Sequence, residues 1–105
     1  MNDRLLSFLG LCRRAKKLVI GAQVCEESVR EGRSLLVLVA TDAAPNSLKR
    51  VRRAAEEYGV PVLCANRDKE ALSKALGRLC AVLSVEDRGF ADRLHDMIDC
   101  EERSI

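Results

Sequence analysis

Aromatic residues are scarce in this 105-residue chain: tryptophan is absent, and Phe8, Tyr58 and Phe90 supply the whole 3% aromatic content. Nucleic-acid binding through ladders of stacked rings is thereby excluded. The core of the single domain (residues 1–105) that this length allows must be built from Leu, Val, Ala and Ile. No apolar stretch is long enough to span a bilayer, and Asp3 and Arg4 interrupt the start where a signal peptide would turn apolar. A cytoplasmic location with no membrane partner is therefore expected. Cys12, Cys25, Cys64, Cys80 and Cys100 are odd in number, widely spaced and form no C-x-x-C pair, so neither a disulfide framework nor a metal site is expected. The first four fall among apolar neighbours and read as small hydrophobes. G-x-G-x-x-G, P-loop and nucleophile-elbow motifs are all missing, which argues against a nucleotide cofactor and against hydrolase chemistry. His95, the only histidine, stands among Asp92, Asp96 and Asp99 with no nucleophile paired to it, the pattern of a solvated helix face. Asp42 follows an apolar run as a phosphoacceptor aspartate would, but no acidic pair follows an earlier strand. An enzyme is not expected.

Charge is plentiful but unevenly placed. Residues 1–85 hold 15 Lys and Arg against 9 Asp and Glu, a net of +6, whereas residues 86–105 hold 3 against 7, a net of −4. A basic body suits a polyanion, and the acidic end faces elsewhere.

Hydrophobic periodicity alternates between helix and strand. Leu5, Leu6, Phe8, Leu9 and Cys12 recur at helical spacing behind Asn2 or Asp3 as N-cap, with Arg13 and Arg14 in the last turns. Leu18–Ile20 is a short β-prone run halted by Gly21, and a second helix runs from Ala22 to a stop at Gly32, with Glu26 and Arg30 as an i,i+4 pair. Leu35–Ala40 is apolar on both faces, as a central strand must be. Pro45 opens a helix with Leu48, Val51, Ala55 and Tyr58 inward and Lys49, Arg50, Arg52 and Arg53 outward, closed by Gly59. Val60–Cys64 reads as a buried strand, Asp68 caps a helix that ends at Gly77, Leu79–Val85 reads as a strand, and Asp87 caps a last helix. Residues 99–105 are polar and acidic and are expected to fray. The alternation specifies an α/β fold, a three-layer α/β/α sandwich around a mixed sheet of about four strands.

Two short stretches carry most of the functional information. Gly21-Ala22-Gln23-Val24 opens one helix, and Ala75-Leu76-Gly77-Arg78 closes another. Brought together, they would place helix-end dipoles, glycine backbone and an arginine on one edge, with Arg13, Arg14, Lys16, Lys17 and Lys74 nearby. Folded RNA is a fitting ligand for such an edge. The outward Lys49–Arg53 face reads equally as a phosphate track or as a solvated face, and Gly77 equally as a close-approach point or as a helix cap.

Leu9-Gly10-Leu11-Cys12-Arg13-Arg14-Ala15, Leu18-Val19-Ile20-Gly21, Leu35 through Ala43 and Ala75 through Arg78 together resemble the kink-turn-binding ribosomal protein superfamily, whose archetypes are L7Ae and L30e, and within it the bacterial YlxQ branch. The resemblance spans about residues 3–98. It implies a non-catalytic protein that recognises a sharply bent RNA helix through its tandem sheared G·A pairs, with ribosomal or other structured RNA as partner. It places the recognition helix just after Gly21, where the family has an Asn/Glu pair and, a turn later, a lysine. Here these positions hold Gln23, Val24 and Glu27. Gln23 keeps an amide for base edges, Val24 has none, and Glu27 reverses the charge. Ser73 replaces a usual glycine. The expected RNA edge comprises Lys17, Gly21, Gln23, Val24, Glu27, Arg30, Asp42, Leu76, Gly77 and Arg78. The competing reading is a protein-interaction domain that keeps the fold, has lost specific RNA recognition, and engages a basic partner through its acidic C-terminal helix.

Overall fold

The computed structural model describes residues 3–103. Five helices and four strands alternate: α1 (Arg4–Arg14), β1 (Leu18–Ile20), α2 (Ala22–Arg30), β2 (Leu36–Val39), α3 (Pro45–Tyr58), β3 (Val62–Cys64), α4 (Lys69–Leu76), β4 (Val82–Val85) and α5 (Arg88–Arg103). The strands form one mixed sheet in the order β1-β4-β2-β3. Strand β4 is antiparallel to both β1 and β2, and β2 is parallel to β3.

Strand β2 is buried on both faces and divides the core by simple alternation. Leu36 and Leu38 join Leu5, Leu9, Leu72, Leu76, Leu94 and Ile98, so α1, α4 and α5 cover one face. Val37 and Val39 join Cys25, Val29, Val51 and Ala54, so α2 and α3 cover the other. The result is the three-layer sandwich. Helix starts follow the short polar side chains that satisfy otherwise unpaired amides. Asp3 accepts from Leu6 N–H at 3.0 Å, Asp68 from Ala71 N–H at 2.8 Å and Asp87 from Phe90 N–H at 2.9 Å. Asn2, the other cap candidate for α1, lies outside the described residues.

Four local readings change. Tyr58 points outward and is 51% exposed, because the inward face of α3 is completed by Ala54 and Ala55. Strand β3 begins only at Val62 and is half-buried, since it forms an edge of the sheet. Strand β4 begins at Val82: the Cys80 N–H is taken by Ser73 Oγ at 3.0 Å, so residues 77–81 turn as a loop before the ladder starts. Finally, α5 stays helical to Arg103 rather than fraying after Asp99, with residues 104–105 outside the described range. Arg67 donates to both carboxylate oxygens of Glu101 (2.6 and 3.1 Å) and both of Asp3 (2.8 and 3.1 Å), clamping this last turn to the start of α1.

Among the described residues no helix is long and apolar enough to cross a membrane.

Candidate nucleic-acid interface

Strand register decides which loops share an edge. Ile20 faces Leu83 and Val39 faces Val82, so the C-terminal ends of β1 and β2 meet the N-terminal end of β4, and parallel pairing brings the end of β3 alongside. Backbone bonds extend the ladder just past the strands. Gly21 N–H donates to Val82 O (2.9 Å), Ala40 N–H to Ala81 O (2.8 Å) and Thr41 N–H to Arg67 O (2.9 Å). This edge therefore gathers the start of α2, the β2–α3 loop and the α4–β4 loop.

Helix α2 starts abruptly. Its N-cap is Gly21 at φ 116° and ψ 141°, and no side chain caps the first turn, whose N–H groups are left to face the edge. A Cβ on Gly21 would meet nothing within 4 Å, so it is the backbone conformation, not space, that calls for glycine. Gly21→Ala is accordingly expected to lower stability by about 1–3 kcal/mol, read as a reduced denaturation midpoint at unchanged m-value. An unaltered midpoint would show that the turn relaxes without strain.

The α4–β4 loop supplies the other half. Gly77 ends α4 in the left-handed conformation at φ 73°, and the Arg13 guanidinium from α1 lies 3.4 Å from where a Gly77 Cβ would stand. Arg78, Lys74 and Arg13 are exposed and have no ion-pair partner among the described residues. Leu79, next along, is 81% exposed, and Val24 on α2 is 42% exposed. Both present apolar side chains to solvent beside the cations of this edge. Thiol chemistry has no place here: burial pushes Cys80 up to about 11 and Cys25 up to about 12, leaving both protonated at neutral pH. No group of three or more His, Cys, Asp or Glu side chains is placed to hold a metal among the described residues.

The sequence profile of the ribosomal protein L7Ae/L30e/S12e/Gadd45 family matches residues 3–95. The chain belongs to this family. It is similar to the RNA-binding protein YlxQ of Bacillus subtilis, with 34% identity over 92 residues covering 87% of this chain and 91% of that one. Similarity to the RNA-binding protein YlxQ of Enterococcus faecium is 30% over 99 residues, covering 93% and 94%. Among solved structures, a protein of unknown function from Bacillus halodurans C superposes with a TM-score of 0.87 at 30% identity, covering 93% and 99% of the two chains. The Giardia lamblia 15.5kD RNA binding protein superposes at 0.71 with 22% identity, covering 100% and 93%, and shares the fold.

In this L7Ae-family chain, Gly21, Gln23, Val24, Asp42, Gly77 and Arg78 come to the common edge. Asp42 is already committed, since its carboxylate accepts the Lys69 N–H at 2.8 Å and pins the β2–α3 loop to the start of α4. Leu76 lies beneath the edge, 2% exposed in the core, and exposed Leu79 takes the outward position. Reading Leu79 as the first residue of a strand hid it; the signal was its place immediately after Gly77-Arg78. Lys17 precedes β1 at the opposite end, about 13 Å of extended chain from Gly21, where its carbonyl accepts from Glu86 N–H at 2.9 Å. Arg30 sits about 13 Å along α2 from Gly21 and is held by Glu26 at 3.2 Å and by Glu57 of α3 at 2.8 Å. Glu27 is exposed one turn beyond Gln23, with no hydrogen bond or ion pair to its side chain among the described residues, and Arg30 is turned to Glu26 and Glu57 instead.

Proposed function

We propose that the protein is a non-catalytic RNA-binding protein that recognises a sharply bent, kink-turn-like RNA, ribosomal or otherwise structured, in the cytoplasm. The observation that carries this reading is the edge itself: the uncapped, glycine-led start of α2 facing a loop that holds Leu79 81% exposed between Arg78 and the sheet. Similarity to relatives named RNA-binding proteins supports it. First-turn amides of α2 and the cations Arg13, Lys74 and Arg78 meet phosphates, which fixes position without reading sequence. The Gln23 amide, at once donor and acceptor, meets the edges of non-canonical base pairs. Leu79 and Val24 cover the face of a base that the bend has pushed out of its stack. Gly77, having no side chain, lets the backbone approach.

Leu79→Ala tests this division of labour. Removing about 1–2 kcal/mol of apolar contact should weaken binding to a bent RNA with an extruded base about tenfold. Binding to a fully paired duplex should not change, since phosphate contacts alone remain there. Equal effects on both RNAs would contradict the assignment. The alternative reading, a protein-interaction domain with an eroded RNA edge, draws on Val24 and Glu27. Its acidic C-terminal helix is less available than composition implies, because Glu101 is already held by Arg67.

A further inference from the structure

The face formed by α1 and α5 carries a feature that RNA binding at the sheet edge leaves unused. Phe8, Leu11 and Met97 floor a groove of about 430 Å³ whose remaining walls are Arg4, Ser7, Arg14 and Arg93. Among the described residues no carboxylate lines it. Leu11 is 44% exposed, and the three arginines are exposed with no ion pair among the described residues. Of the other ten arginines, Arg30, Arg33, Arg50, Arg67 and Arg88 each contact an acid, and Arg13, Arg52, Arg53, Arg78 and Arg103 have no ion pair among the described residues. What sets the groove apart is the apolar floor of Phe8, Leu11 and Met97 beneath its three cations.

We infer that this groove docks an acidic amphipathic helix of a protein partner. Charge complementarity names the occupant. The rim requires carboxylates, and the floor requires aliphatic side chains, which a helix supplies together on one face at i, i+3, i+4 and i+7. RNA meets the first requirement with its phosphates and the second only where a base is pushed out of its stack. The Phe8 ring is half-buried and packed in an edge-to-face arrangement with Phe90, with centroids 5.4 Å apart. Length fits as well: Arg4 and Arg14 are ten residues apart on α1, about 15 Å along its axis. A partner helix of about three turns, with acids near both ends of its apolar stripe, spans that distance. Arg93 on α5 meets a third acid from the other wall. The groove shares no lining residue with the sheet edge.

The probe is a fluorescein-labelled peptide of about 14 residues with Leu at i, i+4, i+7 and i+11 and Glu flanking that stripe. A scrambled peptide of the same composition is the control. Anisotropy titration should give saturable binding near 10 µM for the helix and at least tenfold weaker binding for the scramble. The double variant Arg4→Glu, Arg93→Glu and the single variant Leu11→Ser should each weaken peptide binding about tenfold. All three positions are exposed, and circular dichroism verifies that the variants fold. Affinity of the double variant for a kink-turn RNA should equal that of the parent, which separates this site from the RNA edge. No saturation below about 1 mM, equal binding of the scramble, or unchanged binding by the double variant would overturn the proposal. So would a double variant that loses RNA affinity and keeps the peptide, an outcome that would give the groove to RNA.

Discussion

Glu27→Lys is expected to raise affinity for a kink-turn RNA by about tenfold to a hundredfold. In the native chain a carboxylate stands on the exposed face of α2, one turn beyond Gln23, where an approaching backbone phosphate is repelled. The gain is not eroded by intramolecular losses, because the Glu27 side chain has no hydrogen bond or ion pair among the described residues. Arg30, the nearest cation on that face, already serves Glu26 and Glu57. Lysine there removes the repulsion and adds a charge-assisted contact, and the salt dependence of binding should steepen by about one counterion. Titration of both proteins at two salt concentrations measures it. A lysine variant with unchanged affinity and slope would place the RNA away from α2.

Arg67→Ala is expected to cost about 2 kcal/mol at neutral pH, a drop in Tm on the order of 10 °C for a domain of this size. The figure is below what two bidentate pairs would suggest, because Asp3 and Glu101 are each roughly a third exposed and water screens them. Without Arg67 the two carboxylates face one another, and α5 should fray from Asp99 onward, visible as faster amide exchange over residues 99–103. The pH dependence has a definite sign. The Arg67 hydrogen bonds hold both carboxyls below their ordinary values of 3.8 and 4.5, so this stabilisation is complete above those values and is lost as pH falls through the lower folded ones. Parent and variant should thus differ fully at pH 7 and converge progressively below about pH 4. A difference that persists undiminished at pH 2 would assign the effect to packing of the arginine stem.

Order along the chain was readable wherever local chemistry set it. The caps at Asp3, Asp68 and Asp87, the Pro45 start, the glycine stops at Gly59 and Gly77 and the doubly apolar run of β2 each depend on residues within a few positions of one another. What escaped depends on partners far away. Arg30 belongs to the edge on a helical wheel, but Glu57, 27 residues on, draws it toward α3. Lys17 is four residues from Gly21 in sequence, yet the antiparallel register places it at the other end of the sheet. Helix α5 outlasts its acidic composition because Arg67 reaches Glu101 across 34 residues. Leu76 and Leu79 exchange inner and outer roles through the bond from Cys80 N–H to Ser73 Oγ, which no hydrophobic pattern encodes.

The central claim is that the edge built by Gly21, Gln23, Val24, Gly77, Arg78 and Leu79 reads the bent form of an RNA. Its most direct test is a titration of the native chain against a labelled kink-turn RNA and a control in which the tandem G·A pairs are replaced by Watson–Crick pairs, each at two salt concentrations. Binding to the kink-turn RNA should be saturable, salt-sensitive and at least tenfold tighter than to the control. Equal, weak binding to both RNAs, vanishing together as salt rises, would reduce the edge to unspecific charge attraction and contradict it.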